Sequence, residues 1–113
     1  RSSFNQESGL PNVRAYWKEG NDLAITVEIE SKQRRIAVEG CESVEPWTMR
    51  GGVKRSTIEP ESFLSFDVRF KKQHPQPLLV LLKMEVETLG GWTQNIRLPV
   101  RSEVERSVEN ERP

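Results

Sequence analysis

The stretch FLSFDVRF–KKQHPQP–LLVLLKMEVE, residues 63–87, decides the fold. In its first part Leu64, Phe66, Val68 and Phe70 alternate with Ser65, Asp67 and Arg69. Side chains on a β-strand point to opposite faces in turn, so this period of two predicts a half-buried strand. The middle part cannot be regular. Pro75 and Pro77 lack a backbone donor and restrict the residues before them. In the last part Leu78, Val80, Leu82, Met84 and Val86 share one face. Leu79 and Leu81 make the first half apolar on the other face too, the pattern of a central strand covered on both sides.

The same period recurs along the chain. In LAITVEIE, Leu23, Ile25, Val27 and Ile29 face one way, and Thr26, Glu28 and Glu30 the other. The EGND cluster (Glu19–Asp22) before it is a turn, and VRAYWK pairs as the other arm of a hairpin. RIAVEG (Arg35–Gly40) reads as a short strand. WTM (Trp47–Met49), after Pro46, reads as another, broken by Gly51-Gly52. After the Gly90-Gly91 turn, WTQNIRL puts Trp92, Ile96 and Leu98 on one face, and Pro99 suits a strand end or edge. No segment carries a helical period. Seven to eight short strands with regular turn signals predict an all-β fold, an immunoglobulin-like antiparallel β-sandwich. The Cys…Trp…Cys pattern of true immunoglobulin domains is absent.

The chain has 113 residues, which suits a single domain. Residues 1–11 read as a flexible N-terminal segment, 12–100 as the sandwich, and 101–113 as a charged tail. In that tail Val104 and Val108, four apart, are the only apolar residues. The opening on Arg1 suggests a piece of something longer. Lys+Arg and Asp+Glu both number 17. This balance argues against nucleic acid, whose binders draw affinity from phosphate contacts and carry a basic excess. No apolar run approaches the ~20 residues that span a bilayer, and no signal peptide pattern opens the chain. Cys41 is the single cysteine and none of Asn5, Asn12, Asn21, Asn95 or Asn110 starts a glycosylation sequon. A reducing, cytoplasmic setting follows as the expectation.

The parts for chemistry are few. His74, the one histidine, precedes Pro75 in a polar loop and reads as solvated. Cys41 reads as a small buried hydrophobe. One His and one Cys are too few for a zinc site, and GCESVEP lacks the Asp/Asn pattern of a calcium loop. Gly51-Gly52 and Gly90-Gly91 are not followed by a helix, so no phosphate loop is implied. No catalytic residue, cofactor or metal is assigned. The surface is the remaining source of function. Basic residues group at Lys32, Arg34 and Arg35, at Arg50, Lys54 and Arg55, and at Arg69, Lys71 and Lys72. Trp17, Trp47 and Trp92 suit the core or its rim. Trp47, near the basic Gly loop, is the tryptophan that suits a binding hot spot. The candidate partner-binding residues are Trp47, Arg50, Arg69, Lys71 and Lys72.

The segment Ser56–Val100 resembles the sandwich subdomain of clathrin-adaptor appendages, the ears of the large adaptin chains, alpha-adaptin in particular. The resemblance lies in TIEP at Thr57–Pro60, then FLSFDVRF, a proline loop, LLVLLKMEV, a glycine turn, and QNIRLPV at Gln94–Val100. LAITVEIE and RIAVEG fit the earlier ear strands. Alpha- and beta-type ears continue into a platform subdomain that holds their main motif pocket. Here a charged tail follows, which fits a sandwich-only ear better. By position Arg69, Lys71 and Lys72 resemble a basic strand end that meets acidic-aromatic peptides. The resemblance implies a non-catalytic module of a trafficking or assembly protein that binds partner proteins or short peptide motifs, with only indirect membrane contact. Two alternatives stand beside it: an architectural domain docked permanently within a ciliary or nuclear complex, and a lipid- or nucleic-acid-binding module with a basic face.

Overall fold

The structure, a computed structural model, describes residues 9–21, 23–43, 50–51, 55–74, 76–88, 91–92 and 95–102. Among them the chain is all-β, with nine strands and no helix. The strands are β1 (Asn12–Trp17), β2 (Ala24–Glu30), β3 (Ile36–Ser43), β4 (Arg50–Gly51), β5 (Ser56–Ile58), β6 (Phe63–Arg69), β7 (Leu79–Thr88), β8 (Gly91–Trp92) and β9 (Ile96–Arg101).

The first hairpin forms where the turn residues put it. Asn21 Oδ1 accepts the Leu23 N–H at 2.8 Å. The Lys18 N–H reaches the Ala24 carbonyl at 3.1 Å, and Gly20 takes the positive φ of 70° that the turn requires. β2 then pairs antiparallel with β1 on one side and with β6 on the other, in unbroken register from Ala24↔Arg69 to Glu30↔Phe63. The other arm of the same sheet is built by β3, β7 and β9: β7 lies between β3 and β9, antiparallel to both. β4 and β5 pair with the far side of β3, and β8 with β7.

β9 joins the two arms into a single sheet, where the sequence predicted a sandwich of antiparallel strands alone. Ile96–Pro99 pair antiparallel with Leu79–Leu82 of β7, while Val100 and Arg101 pair parallel with Ala15 and Tyr16 of β1. The hydrogen-bonded path runs β4-β3-β7-β9-β1-β2-β6, and β4 also lies beside β6, so the sheet curls almost into a barrel. Pro99 fits this junction. Val100 N–H bonds the Leu78 carbonyl at 3.0 Å, so the nitrogen of Pro99, one residue back, faces away from β7. Its missing donor costs the β7–β9 ladder nothing.

The enclosed space holds the alternating residues. Ile25, Val27 and Ile29 of β2, Phe66 and Val68 of β6, Val80, Leu82, Met84 and Val86 of β7, Ile36 and Val38 of β3 and Leu98 of β9 form one buried cluster. Phe70 closes one end of it. At the other end Ser31, 2% exposed, staples the β2 and β6 ends: its Oγ accepts the Ser62 N–H at 2.8 Å and lies 2.8 Å from the Glu59 carbonyl.

The structure departs from the sequence reading at four places. β3 does not stop at Gly40 but continues to Ser43 through a bulge between Val38 and Gly40. Gly40 has φ 144°, open to glycine, and the extra residue turns both Val38 and Cys41 inward, which breaks the period of two. TIEP holds a separate strand, β5, paired with β3. The outward face of β7 is not covered throughout: Leu79 is 40% exposed. β7 is central in its hydrogen bonds, but only its inner face meets a second layer. His74 is 4% exposed, not solvated, because its loop folds back and sets the imidazole edge-on to Phe70 at 4.6 Å. The strand expected at Trp47–Met49 lies outside the described residues.

Phe66 and Asp67 are neighbours on opposite faces, and their truncation separates the faces energetically. Phe66→Ala should cost about 3–5 kcal/mol of unfolding free energy, and Asp67→Ala about 1 kcal/mol or less. Equal losses in denaturant titrations would contradict the facing.

Candidate interaction surface

Cross-strand ion pairs cover much of the outside. Arg14 meets Glu28 at 3.4 Å, Lys18 meets Asp67 at 2.7 Å, and Lys32 meets Glu30 at 3.5 Å. Arg35 reaches Glu59 at 3.1 Å and Glu87 at 3.5 Å, and Lys83 reaches Glu42 at 3.1 Å. Arg55 pairs with Glu39 and, at 3.8 Å, with Glu85. Asp67 also accepts the Thr26 hydroxyl at 2.9 Å. The Lys18 hydrogen bond holds the Asp67 carboxyl below the ordinary aspartate range, and the Asn12 amide does the same for Glu30.

This pairing resolves the three basic groups of the sequence. Lys32 and Arg35 are neutralised by glutamates, and Arg34 donates to the Glu87 carbonyl at 3.2 Å. Arg55 is neutralised as well, and Lys54 lies outside the described residues. The third group differs. Arg69, Lys71 and Lys72 are all exposed, and none forms an ion pair among the described residues. Arg69 acts on Asp67 only through its field.

Topology brings further elements to the same end. Trp17 of β1 is level with Ile25 and, across β2, with Val68, so the β1–β2 turn sits beside the end of β6. Ser43 of β3 opposes Val80 near the start of β7, and Arg50 opposes Glu42. The Arg50 backbone therefore sits at the end where the Lys71–Pro77 loop enters β7, while Trp47 is outside the described residues.

An open groove of about 410 Å³ runs there, lined by Trp17, Lys18, Gly20, Asn21 and Gln76. Trp17 stacks at a tilt on Phe70 with ring centroids 6.2 Å apart. Its indole Nε1 is buried with no acceptor among the described residues. Periodicity placed Trp17 in the core or its rim; its place directly before the turn cluster is the signal for a groove wall. A second groove of similar volume, lined by Glu30, Ser31, Lys32, Gln33, Glu61, Ser62 and the exposed Phe63, lies at the Ser31 end. Its charges are of both signs.

The two reactive side chains are both buried, His74 against Phe70 and Cys41 in the core. Cys41 is 1% exposed in the interior, and burial, with the nearby Glu42 carboxylate, pushes its thiol up to about 12. No cluster of His, Cys, Asp and Glu able to hold a metal occurs among the described residues. No described helix is long and apolar enough to cross a membrane. No protein-family model matches the chain, and no curated protein or solved structure is significantly similar to it.

A thiol buried this way stays neutral at neutral pH and is shielded from attack. Cys41 should react with a chromogenic disulfide only at the rate of global unfolding. The neutral form is the one favoured in the folded state. Its contribution to stability is therefore complete below the unfolded thiol value of about 8.5 and is lost as pH rises from there toward 12. Fast labelling of the native protein at pH 8 would contradict the burial.

Proposed function

We propose that this chain is a non-catalytic interaction domain of immunoglobulin-like layout, an appendage-like module of a larger cytoplasmic assembly, and that it recruits acidic segments of partner proteins. The strand arrangement supports the layout. β1, β2 and β6 form one layer and β3, β7 and β9 the other, as strands A, B, E and C, F, G do in an immunoglobulin sandwich, with the first strand parallel to the last. The connecting strands β4 and β5 pair with β3 instead of β6.

One observation carries the binding proposal. The other bases whose side chains are described find a carboxylate or carbonyl partner or make a further polar contact, apart from Arg97 on β9. Arg69, Lys71 and Lys72 stand exposed together without an ion pair at one end of the fold. A local excess of one sign on a chain of zero net charge attracts the opposite sign by steering and by ion pairing. The groove beside Trp17 offers a place for a side chain of the bound segment. Such single contacts are weak, and multivalent assembly raises their effective strength. The adaptin-ear likeness of Ser56–Val100 supports the same reading, with Arg69, Lys71 and Lys72 as the basic strand end by position.

The test uses a labelled polyglutamate peptide, phosphatidylserine vesicles and duplex DNA as probes. The peptide should bind with an affinity that falls with salt. Lys71→Glu/Lys72→Glu should weaken it by about tenfold or more. Preferential binding to vesicles or DNA, or an unchanged peptide affinity in the double variant, would overturn the proposal.

A further inference from the structure

The outward face of β3, β7 and β9 presents an apolar strip with one uncompensated charge. Leu79 opposes Pro99, and on the next rung Leu81 lies between Glu42 of β3 and Arg97 of β9. Leu79 and Pro99 are exposed, and Leu81 is half-buried. Glu42 is held by Lys83 at 3.1 Å. Arg97 is exposed and forms no ion pair among the described residues.

Two independent signals agree here. The LLVLL run has the composition of a strand covered on both faces, yet Leu79 is 40% exposed. An apolar strip rimmed by a free charge is the usual mark of an interaction surface. We infer that this face binds a protein segment presenting a large apolar side chain on Leu79, Leu81 and Pro99 and a carboxylate on Arg97. The inference rests on the recruiting role proposed above and extends the surface from the β6–β7 loop, which leads directly into Leu79, onto the sheet.

Charge selects the occupant. The described carboxylates on this face, Glu42 and Glu85, are already paired with Lys83 and Arg55, so a second copy offers Arg97 no free partner there. An acidic, apolar-anchored segment supplies that carboxylate. Same-face positions along a strand are ~7 Å apart and neighbouring strands ~4.8 Å apart, so Leu79 and Arg97 are separated by roughly 8 Å. An extended segment spans nearly that distance between residues i and i+2.

Random peptides displayed on phage are selected on the wild-type chain, and the enriched sequences are synthesised. Their Kd is then measured on wild type, Leu79→Ser, Arg97→Glu and Lys71→Glu/Lys72→Glu, with circular dichroism confirming that each surface variant is folded. The enriched peptides should combine Asp or Glu with a large apolar residue. Leu79→Ser and Arg97→Glu should each raise Kd about tenfold or more. If only the Lys71/Lys72 variant weakens binding, this inference fails while the proposed function stands. If none of the variants does, both fail. Self-association of the wild type, abolished by Leu79→Ser in sedimentation, would assign the face to a second copy and overturn the inference.

Discussion

Everything in this fold depends on β9 satisfying two neighbours at once. Its first residues complete the β7 ladder in antiparallel fashion, and its last two run parallel to β1. That exchange carries the hydrogen-bonded path from β3–β7–β9 to β1–β2–β6. With it, the two inner faces are held over each other and the valines, isoleucines and leucines between them are sealed from solvent. Pro99 sits at the point of exchange and turns its nitrogen to the side where no β7 bond is needed. A residue that weakens most central strands is harmless here.

The sealed interior sets what the outside can do. The thiol of Cys41 and the imidazole of His74 are enclosed within the packing, so the side chains best suited to nucleophilic chemistry serve as filling. Apart from the buried Glu28, the described charged residues lie outside, many in exposed pairs that contribute little to stability individually. Their larger effect is on the electrostatic map. Among the described residues they cancel the basic groups near the Ser31 end and along β3, and they leave Arg69, Lys71, Lys72 and Arg97 without an ion pair. The proposed recruiting role draws on that unpaired pattern, on loops and on an outward strand face.

The strands were legible wherever the period of two held. LAITVEIE and FLSFDVRF turn inward the hydrophobes their alternation picks out; β6 keeps one wet face, whereas the second face of β2, expected to be wet, is buried at Ala24 and Glu28. The reading failed where a residue count alone breaks the alternation. The bulge before Gly40 hid the second half of β3, and nothing but an unusual φ at one glycine marks it. It failed again for His74, where a loop of polar composition folds inward onto Phe70, a tertiary event that local polarity does not encode. Arg69, Lys71 and Lys72 were visible as a basic cluster, but so were two others. Only the three-dimensional placement of Glu30, Glu59, Glu87, Glu39 and Glu85 tells which bases are already neutralised. Arg97 escaped notice because a lone base in an alternating strand has no distinguishing sequence mark, and Trp17 was read as core or rim although it also walls a groove.

The most direct test of the account is a nuclear Overhauser map of β9. Close Hα–Hα contact between Leu79 and Pro99, together with Hα–amide contacts that advance in the same chain direction between Ala15–Tyr16 and Val100–Arg101, is the predicted result. Contacts from β9 to β7 alone, or contacts to β1 that run in opposite chain directions, would contradict it.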